Sequence, residues 1–280
     1  MKLRFLGTGD ARQVPVWGCH CPACERALLL STYQRTGSCV VLTLAGRNFL
    51  IDAGNTRLAE RFAPNELAGI FLSHFHADHL LGLFHLRWGQ GEAIPVHCPR
   101  DREGCADLYR NNGLLDFRPI KKAFQTQSFA LSLDGETQPQ TVLQVTAIPL
   151  NHSKATLGYC FEAEGQKFAY LCDTKGLPAA SEEFLLAWQP DLLIIDCTFP
   201  PGLADAHAAN HNDLTDVLDL SARFASAGQR PSICLTHLSH QMDSYLMAQQ
   251  NCLPENVWVA YDNQEIALEH GNTHQPRPLN

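Results

Sequence analysis

Ser73-His74-Phe75-His76-Ala77-Asp78-His79 follows directly on the apolar run Gly69–Leu72. A short apolar run bounded by polar residues is the signature of a buried strand. The heptapeptide is then the loop that leaves it. Imidazole nitrogens bind zinc, manganese or iron, and a carboxylate suits the harder ions. On an extended loop, alternation puts His74 and His76 on one side. Asp78 and His79 then turn toward a neighbouring position. One loop can therefore feed two adjacent metal ions.

A binuclear centre needs further ligands, and three positions repeat the same context. His152 follows Thr146-Ala147-Ile148-Pro149-Leu150-Asn151, Asp173 follows Phe168-Ala169-Tyr170-Leu171-Cys172, and His237 follows Ile233-Cys234-Leu235-Thr236. Each is a ligand-type residue just past an apolar run, where a loop can aim it into a shared cleft. Any one alone reads as a capping or structural residue; the series reads as a metal centre.

A second cluster is Cys19-x-Cys21-x-x-Cys24. Three thiols at this spacing point to a closed structural zinc site that lacks one ligand, because such sites are four-coordinate. His20 and His240 are the candidates for the fourth. His20 is sterically awkward, since its neighbours already turn toward the metal. His240 lies three residues beyond His237, so one tight turn could serve both metal sites.

The rest of the chain frames these motifs. Lys2–Leu6 is expected to be a strand ending in Gly7-Thr8-Gly9-Asp10. Cys39–Leu44 and Asn48–Ile51 flank the hairpin signal Ala45-Gly46-Arg47, with Asp52-Ala53-Gly54 next and Asn55 as a cap for a helix through Phe62. Leu80–Leu86 is expected to be helical. Further strands are expected at Pro95–Cys98, Phe124–Leu131, Thr141–Ile148, Leu157–Glu162, Lys167–Leu171, Leu192–Ile195, Ser232–Leu235 and Val257–Ala260. Helices are expected at Glu182–Trp188 and Leu214–Phe224, the latter starting near Asn212 or Asp213. Strands come first as a meander and then alternate with helices, twice over. That predicts an α+β sandwich of two sheets with helices outside. It is expected to form one domain over residues 1–269, followed by a loose polar tail at 270–280.

Composition narrows the function. With 29 acidic and 21 basic residues the formal net charge is −8. This argues against a general nucleic-acid binder, which carries a basic face, but not against an anionic substrate, because bound cations can dominate the local field. No stretch is long and apolar enough for a signal peptide or a membrane span. The expected compartment is the cytoplasm, where the 11 cysteines would stay reduced. Outside the Cys19–Cys24 cluster they have no ligand spacing and are expected to be core or surface thiols. His85 and His97 lie in apolar surroundings and are expected in the core. Arg87 and Lys154, beside metal-site segments, could meet a substrate phosphate or form ordinary ion pairs.

Together, Ser73–His79, Asn151-His152, Cys172-Asp173-Thr174 and Leu235-Thr236-His237 resemble the metallo-β-lactamase superfamily. The resemblance implies an αββα sandwich of two mixed β-sheets flanked by helices. It implies His74, His76 and His152 on one metal, Asp78, His79 and His237 on the other, and Asp173 between them. A bridging carboxylate suits cations about 3.5–4 Å apart that turn water into a nucleophile near neutral pH. Val16-Trp17-Gly18-Cys19, Leu86-Arg87-Trp88-Gly89, Leu150–Lys154 and Leu235–Gln241 narrow the resemblance to the PhnP-type phosphodiesterases of the carbon–phosphorus lyase pathway. That family implies opening of 5-phosphoribosyl 1,2-cyclic phosphate to ribose 1,5-bisphosphate, a manganese pair (zinc or iron being chemically admissible), one structural zinc, and a homodimer acting on a small anionic sugar phosphate without stable nucleic-acid or membrane partners. Asn210-His211-Asn212-Asp213 is similar to a family segment whose histidine is implicated in catalysis. His211 is therefore expected to act with Asp78, and His207 is a nearby competitor. Rival expectations on the same fold are a tRNA 3′-processing nuclease, which usually carries a basic clamping arm, a thioester hydrolase, and a PqqB-like carrier that shares the cysteine loop but lacks the complete ligand set.

Overall fold

A computed structural model describes residues 1–132, 141–203 and 210–268. The expected tail at 270–280 and His207 lie outside the described residues.

Among the described residues, fourteen strands form two seven-stranded sheets. The first contains β1 (Lys2–Gly7), β2 (Cys39–Leu44), β3 (Arg47–Ile51), β4 (Leu67–Phe71), β5 (Ile94–Cys98), β6 (Leu115–Pro119) and, at its other edge, β14 (Glu265–Ala267), in the order β14-β1-β2-β3-β4-β5-β6. The second contains β7 (Thr126–Leu131), β8 (Thr141–Pro149), β9 (Leu157–Ala163), β10 (Gln166–Leu171), β11 (Leu192–Asp196), β12 (Ser232–Thr236) and β13 (Val257–Val259), in the order β13-β12-β11-β10-β9-β8-β7. In each sheet an antiparallel half meets a parallel half. The change falls at β3 in the first sheet and at β10 in the second. The meander followed by alternation, seen twice in the sequence, is this repeated topology.

Strand periodicity builds the layers. In β2, Val40, Leu42 and Leu44 face the partner sheet, whereas Cys39 and Val41 face outward. In β11, Leu192 and Ile194 face inward, and Leu193 and Ile195 pack against helices. Apolar residues on both faces mark these as covered strands. Three apolar layers result: one between the sheets, around Phe71, Tyr159, Phe161 and Phe168, and one under the helices on each side. Full burial of such side chains contributes about 1.5–3 kcal/mol each. The expected αββα sandwich is therefore the observed fold.

Local differences have local causes. The expected helix Leu80–Leu86 is two short helices, Ala77–Leu80 and Leu83–Leu86. Between them Gly82 packs so tightly that a Cβ there would lie 2.3 Å from the Asn55 carbonyl oxygen. The helix expected after Asn55 spans only Leu58–Arg61. Asn55 instead bridges loops, donating to the Leu6 carbonyl and accepting from the Arg57 N–H. Strands β6 and β14 and the helices Pro22–Leu29, Ala106–Arg110 and His240–Ala248 were not expected from the sequence. Helix Leu214–Ser226 starts at Asp213, which forms a reciprocal capping box with Asp216. His97 is buried and stacked on Phe71, but His85 is exposed, because only one face of its short helix meets the core.

Candidate metal centres and active-site cleft

The candidate ligands follow the ends of four strands, β4 in the first sheet and β8, β10 and β12 in the second. His74 and His76 lie on the loop after β4, and Asp78 and His79 on the short helix it feeds. His152 follows β8, Asp173 follows β10, and His237 follows β12. Gly54 allows this approach, because a Cβ there would lie 1.8 Å from the Asp78 carbonyl oxygen. His237 has φ 57°, a left-handed conformation that costs a non-glycine residue about 1–3 kcal/mol.

Asp173 is the hub. One of its carboxylate oxygens, Oδ2, is 3.4 Å from His79 Nε2, 3.7 Å from His74 Nε2 and 3.7 Å from His152 Nε2. The other, Oδ1, is 3.3 Å from His237 Nε2. His237 Nε2 is also 3.2 Å from Asp78 Oδ2, and His152 Nε2 is 3.0 Å from His76 Nδ1. Ligand atoms of His74, His76, His152 and Asp173 all lie within 4.8 Å of one another, as do those of His79, Asp173 and His237. The Nε2 atoms of His74 and His79 are buried without a hydrogen-bond partner. Buried polar atoms are ordinarily satisfied, and a cation among these nitrogens and carboxylates would satisfy both. All seven expected residues are brought together, Asp78 lying outside both groups but 3.5 Å from His79 and 3.2 Å from His237, and the donor set fits divalent metal.

The imidazoles are braced from behind. Asp52 Oδ2 is 2.7 Å from His79 Nδ1 and accepts from Ser73 Oγ and Tyr170 OH. Ser73 Oγ in turn lies 3.0 Å from His74 Nδ1. Thr198 Oγ1 is 2.8 Å from His237 Nδ1 and donates to Asp196 Oδ1. The Asn210 carbonyl holds His152 Nδ1 at 3.1 Å. Such contacts fix which ring nitrogen faces the metal. Asp52, Asp196 and Thr198 were not singled out by the sequence reading. Ile51-Asp52 and Ile195-Asp196 nevertheless repeat the signal that found Asp173, a carboxylate closing an apolar strand.

The electrostatics divide the histidines. Burial pushes His74 well down, with His79 adding to the effect, and burial also lowers His76 and His152. Their surroundings thus favour the neutral ring that metal coordination requires. Burial opposes charge on His79 and His237 too, but Asp173 and its neighbouring carboxylates outweigh it. His237 is pushed up to about 9 and His79 well above its usual value. Asp173 and Asp78 are held low against burial by these same imidazoles. The buried carboxylates thus draw positive charge from the imidazoles, a role a divalent cation would take over while leaving the rings neutral. Cys172, expected to be an ordinary thiol, sits in this cluster and donates to Asp173 Oδ1 at 2.9 Å.

His211 stacks on His237 with ring centroids 4.9 Å apart. Its Nδ1 is 2.9 Å from Asp196 Oδ2 and 3.8 Å from Asp173 Oδ2. Together with Asp78, Asp173 and His237, it lines a cleft of about 410 Å³. Arg87 and Lys154 do not line this cleft. Arg87 is buried against Asp107 at 2.8 Å and between the Phe84 and Trp88 rings. Lys154 lies 3.8 Å from both Asp101 and Glu103. For both, the ion-pair alternative describes the structure.

The second cluster assembles as well. His240 Nδ1 is 3.3 Å from both Cys19 Sγ and Cys21 Sγ, and Cys24 Sγ completes a group within 4.8 Å. Zinc bond lengths put ligand edges at roughly 3.6 Å in a tetrahedron, so these atoms are spaced for one zinc. His20 is exposed and outside the group. Burial acts against ionisation of Cys21, but hydrogen bonds from Ser244, the Cys24 backbone and His240 bring it down to about 6. Burial pushes Cys24 up to about 12.

The chain is similar to several known proteins. A ribonuclease Z from Methanothermobacter thermautotrophicus is 27% identical over 173 residues, covering 58% of this chain and 48% of its own. An octanoyltransferase from Porphyromonas gingivalis is 27% identical over 276 residues, covering 96% of this chain and 52% of its own. The chain thus spans about half the length of these curated relatives. A crystal structure of a diphosphatase from the PhnP family shares the fold, with a TM-score of 0.73 at 22% identity, over 96% of this chain and 98% of the other. The family described as "Beta-lactamase superfamily domain" matches residues 47–237, more than half of the chain and every strand end that carries a candidate catalytic ligand. The chain belongs to the beta-lactamase superfamily, in its metallo-β-lactamase fold.

Proposed function

We propose that the protein is a binuclear metal-dependent phosphodiesterase that opens a small cyclic phosphodiester, with 5-phosphoribosyl 1,2-cyclic phosphate as the leading substrate and ribose 1,5-bisphosphate as product. The observation that carries the reading is the convergence of His74, His76, His79, His152 and His237 on Asp173, with His211 beside them in an open cleft. His74, His76 and His152 are assigned to one ion and Asp78, His79 and His237 to the other, with Asp173 shared. Divalent ions there would polarise phosphoryl oxygens and supply an activated water; manganese is the leading candidate, and His–carboxylate sets also accept zinc or iron.

The protein's own groups do the rest. Asp52 and Thr198 hold His79 and His237 in orientation. Water adds at phosphorus, the P–O2 bond breaks, and the sugar O2 leaves as a hydroxyl after taking one proton. His211 is assigned to that proton or to a hydrogen bond on the leaving oxygen, because Asp196 occupies its Nδ1 and leaves Nε2 for substrate. Cys19, Cys21, Cys24 and His240 are assigned to a structural zinc. The enzyme is proposed to act as a cytoplasmic homodimer on free sugar phosphates. No helix among the described residues is long and apolar enough to cross a membrane.

A hydrolysis panel with added manganese tests the reading. It compares cyclic ribose phosphates, nucleoside cyclic phosphates, bis-aryl phosphates, a diphosphate ester, thioesters, a β-lactam and a tRNA precursor. The highest kcat/KM is expected for a cyclic ribose phosphate. A higher value for the diphosphate, the tRNA or a thioester would replace the substrate assignment, and full turnover by metal-free protein would remove the mechanism.

A further inference from the structure

The cleft lined by the candidate ligands His76, Asp78, Asp173 and His237 has one wall the proposed chemistry does not use. It is the turn Asp10-Ala11-Arg12, which follows β1. The turn is fixed to the metal-site loop by backbone contacts: Gly9 bridges Leu238, and the Asp10 N–H donates to the Leu238 carbonyl at 3.2 Å. Leu238 is the residue after His237, so the turn and the candidate ligand are set on one rigid frame.

Asp10 is buried and holds Arg12 in three ways. Its Oδ1 accepts the Arg12 backbone N–H at 3.0 Å, and its Oδ2 accepts Arg12 Nε at 3.0 Å and Nη2 at 2.8 Å. Nη2 also reaches Gln241 Oε1 at 3.5 Å. Nη1 has no hydrogen-bond partner among the described residues. Arg12 is thus an oriented guanidinium, clamped along its Nε–Nη2 edge, with Nη1 left open among the described residues. It is also the one Lys or Arg among the residues lining the cleft, which otherwise offers carboxylates, imidazoles and small or apolar side chains.

We infer that Arg12 is a substrate-specificity residue that receives a phosphomonoester group on the substrate, separate from the scissile diester. The inference rests on the phosphodiesterase reading and assigns a residue of this chain to the second, dianionic phosphate that its leading substrate carries. A cleft of about 410 Å³ lies in the range of small-molecule sites. Arginine suits phosphate because its planar fork donates in pairs, and holding the fork rigid beforehand lowers the ordering cost on binding. Asp10 cancels most of the long-range field of Arg12. The pair therefore selects by direct contact with a dianion rather than by drawing in any anion from a distance.

The test compares wild type, Arg12→Gln and Arg12→Lys, each loaded with manganese and checked for equal metal content. Calorimetry measures binding of ribose 5-phosphate and of ribose. Kinetics measure kcat/KM for a cyclic ribose phosphate with and without the 5-phosphate. A hydrogen bond to a charged group corresponds to about a 10- to 100-fold effect. Arg12→Gln is expected to weaken ribose 5-phosphate binding by that factor and to shrink the preference for the 5-phosphorylated diester by a similar one, mainly through KM. Arg12→Lys is expected to fall between, keeping charge but losing the fork. Unchanged ribose 5-phosphate affinity and an unchanged substrate preference in Arg12→Gln would overturn the assignment. If wild type hydrolyses no diester, the phosphodiesterase reading fails separately, and the calorimetric comparison still decides Arg12.

Discussion

His211 Nδ1 lies 2.9 Å from Asp196 Oδ2, closer than its 3.8 Å to Asp173 Oδ2. Asp196 is itself held by the Thr174 N–H, the Thr198 N–H and the Thr198 hydroxyl, so it is a fixed bracket for the ring. Two roles fit that position. His211 could add to a metal group with Asp173, Asp196 and His237, or it could serve the leaving oxygen. The proposed role predicts that His211→Ala keeps its two catalytic metals and loses about 10²–10⁴-fold in kcat. Metal emission spectroscopy alongside steady-state kinetics checks this. Loss of one metal ion would move His211 into the ligand set, and undiminished turnover would remove it from the reaction.

Asp52 predicts a different split. It touches no substrate-facing surface, being fully buried, yet it holds His79 at 2.7 Å and ties Ser73 and Tyr170 to the same carboxylate. Removing a group that orients a metal-binding imidazole typically costs 10–100-fold in metal affinity. Asp52→Ala is expected to lose about that much affinity for manganese in a chelator competition. Saturating manganese should restore much of the turnover. Wild-type affinity in this variant would mean that His79 is oriented by packing alone.

The contrast between Asp52 and Asp173 shows how far the sequence could be read. Both close an apolar strand, but Asp173 belongs to a series of ligand types at the ends of β4, β8, β10 and β12, whereas Asp52 supports a ligand and leaves no spacing behind. The Cys19–Cys24 cluster was legible for the same reason as the His74–His79 loop: residues close in sequence must be close in space. Helix His240–Ala248 was hidden because its sequence is polar through much of its length, and only Met242 and Asp243 are buried in it. Edge strands β6 and β14 escaped because they alternate charge with apolar residues over a few positions. The break at Gly82 depends on a contact with Asn55, which no local window contains. Arg12 was missed because its meaning comes from Asp10 and from Leu238, far along the chain.

The thiol cluster predicts one zinc that resists exchange with the catalytic metals. Cys21→Ser removes a sulfur that lies 3.3 Å from His240 Nδ1, and three-ligand sites do not close around structural zinc. Zinc is expected to fall from one to near zero per chain while manganese loading persists. The loop would then lose its tie to helix His240–Ala248. A loss of a few kcal/mol corresponds to a Tm drop of roughly 5–10 °C in a domain of this size. Full zinc content in Cys21→Ser would show that the group is not a zinc site.

Beneath that loop, Arg35 and Asp243 supply the sharpest stability prediction. Arg35 Nε and Nη2 reach the two Asp243 oxygens at 2.7 and 3.0 Å, with both side chains buried, and Nη1 donates to Thr8 Oγ1 and the Ala260 carbonyl. Burial disfavours the Arg35 charge, and Asp243 more than restores it. Arg35→Met strands the carboxylate away from water, and breaking a buried pair this way costs about 3–5 kcal/mol. The double variant Arg35→Met/Asp243→Leu removes both charges and should recover a large part of that loss, because desolvation of the pair offsets much of its attraction. Urea unfolding of the two single variants and the double variant measures the coupling. If the double variant is as unstable as the sum of the singles, the two residues act independently. The ion pair would then not be what joins the Arg35 segment to the helix that carries His240.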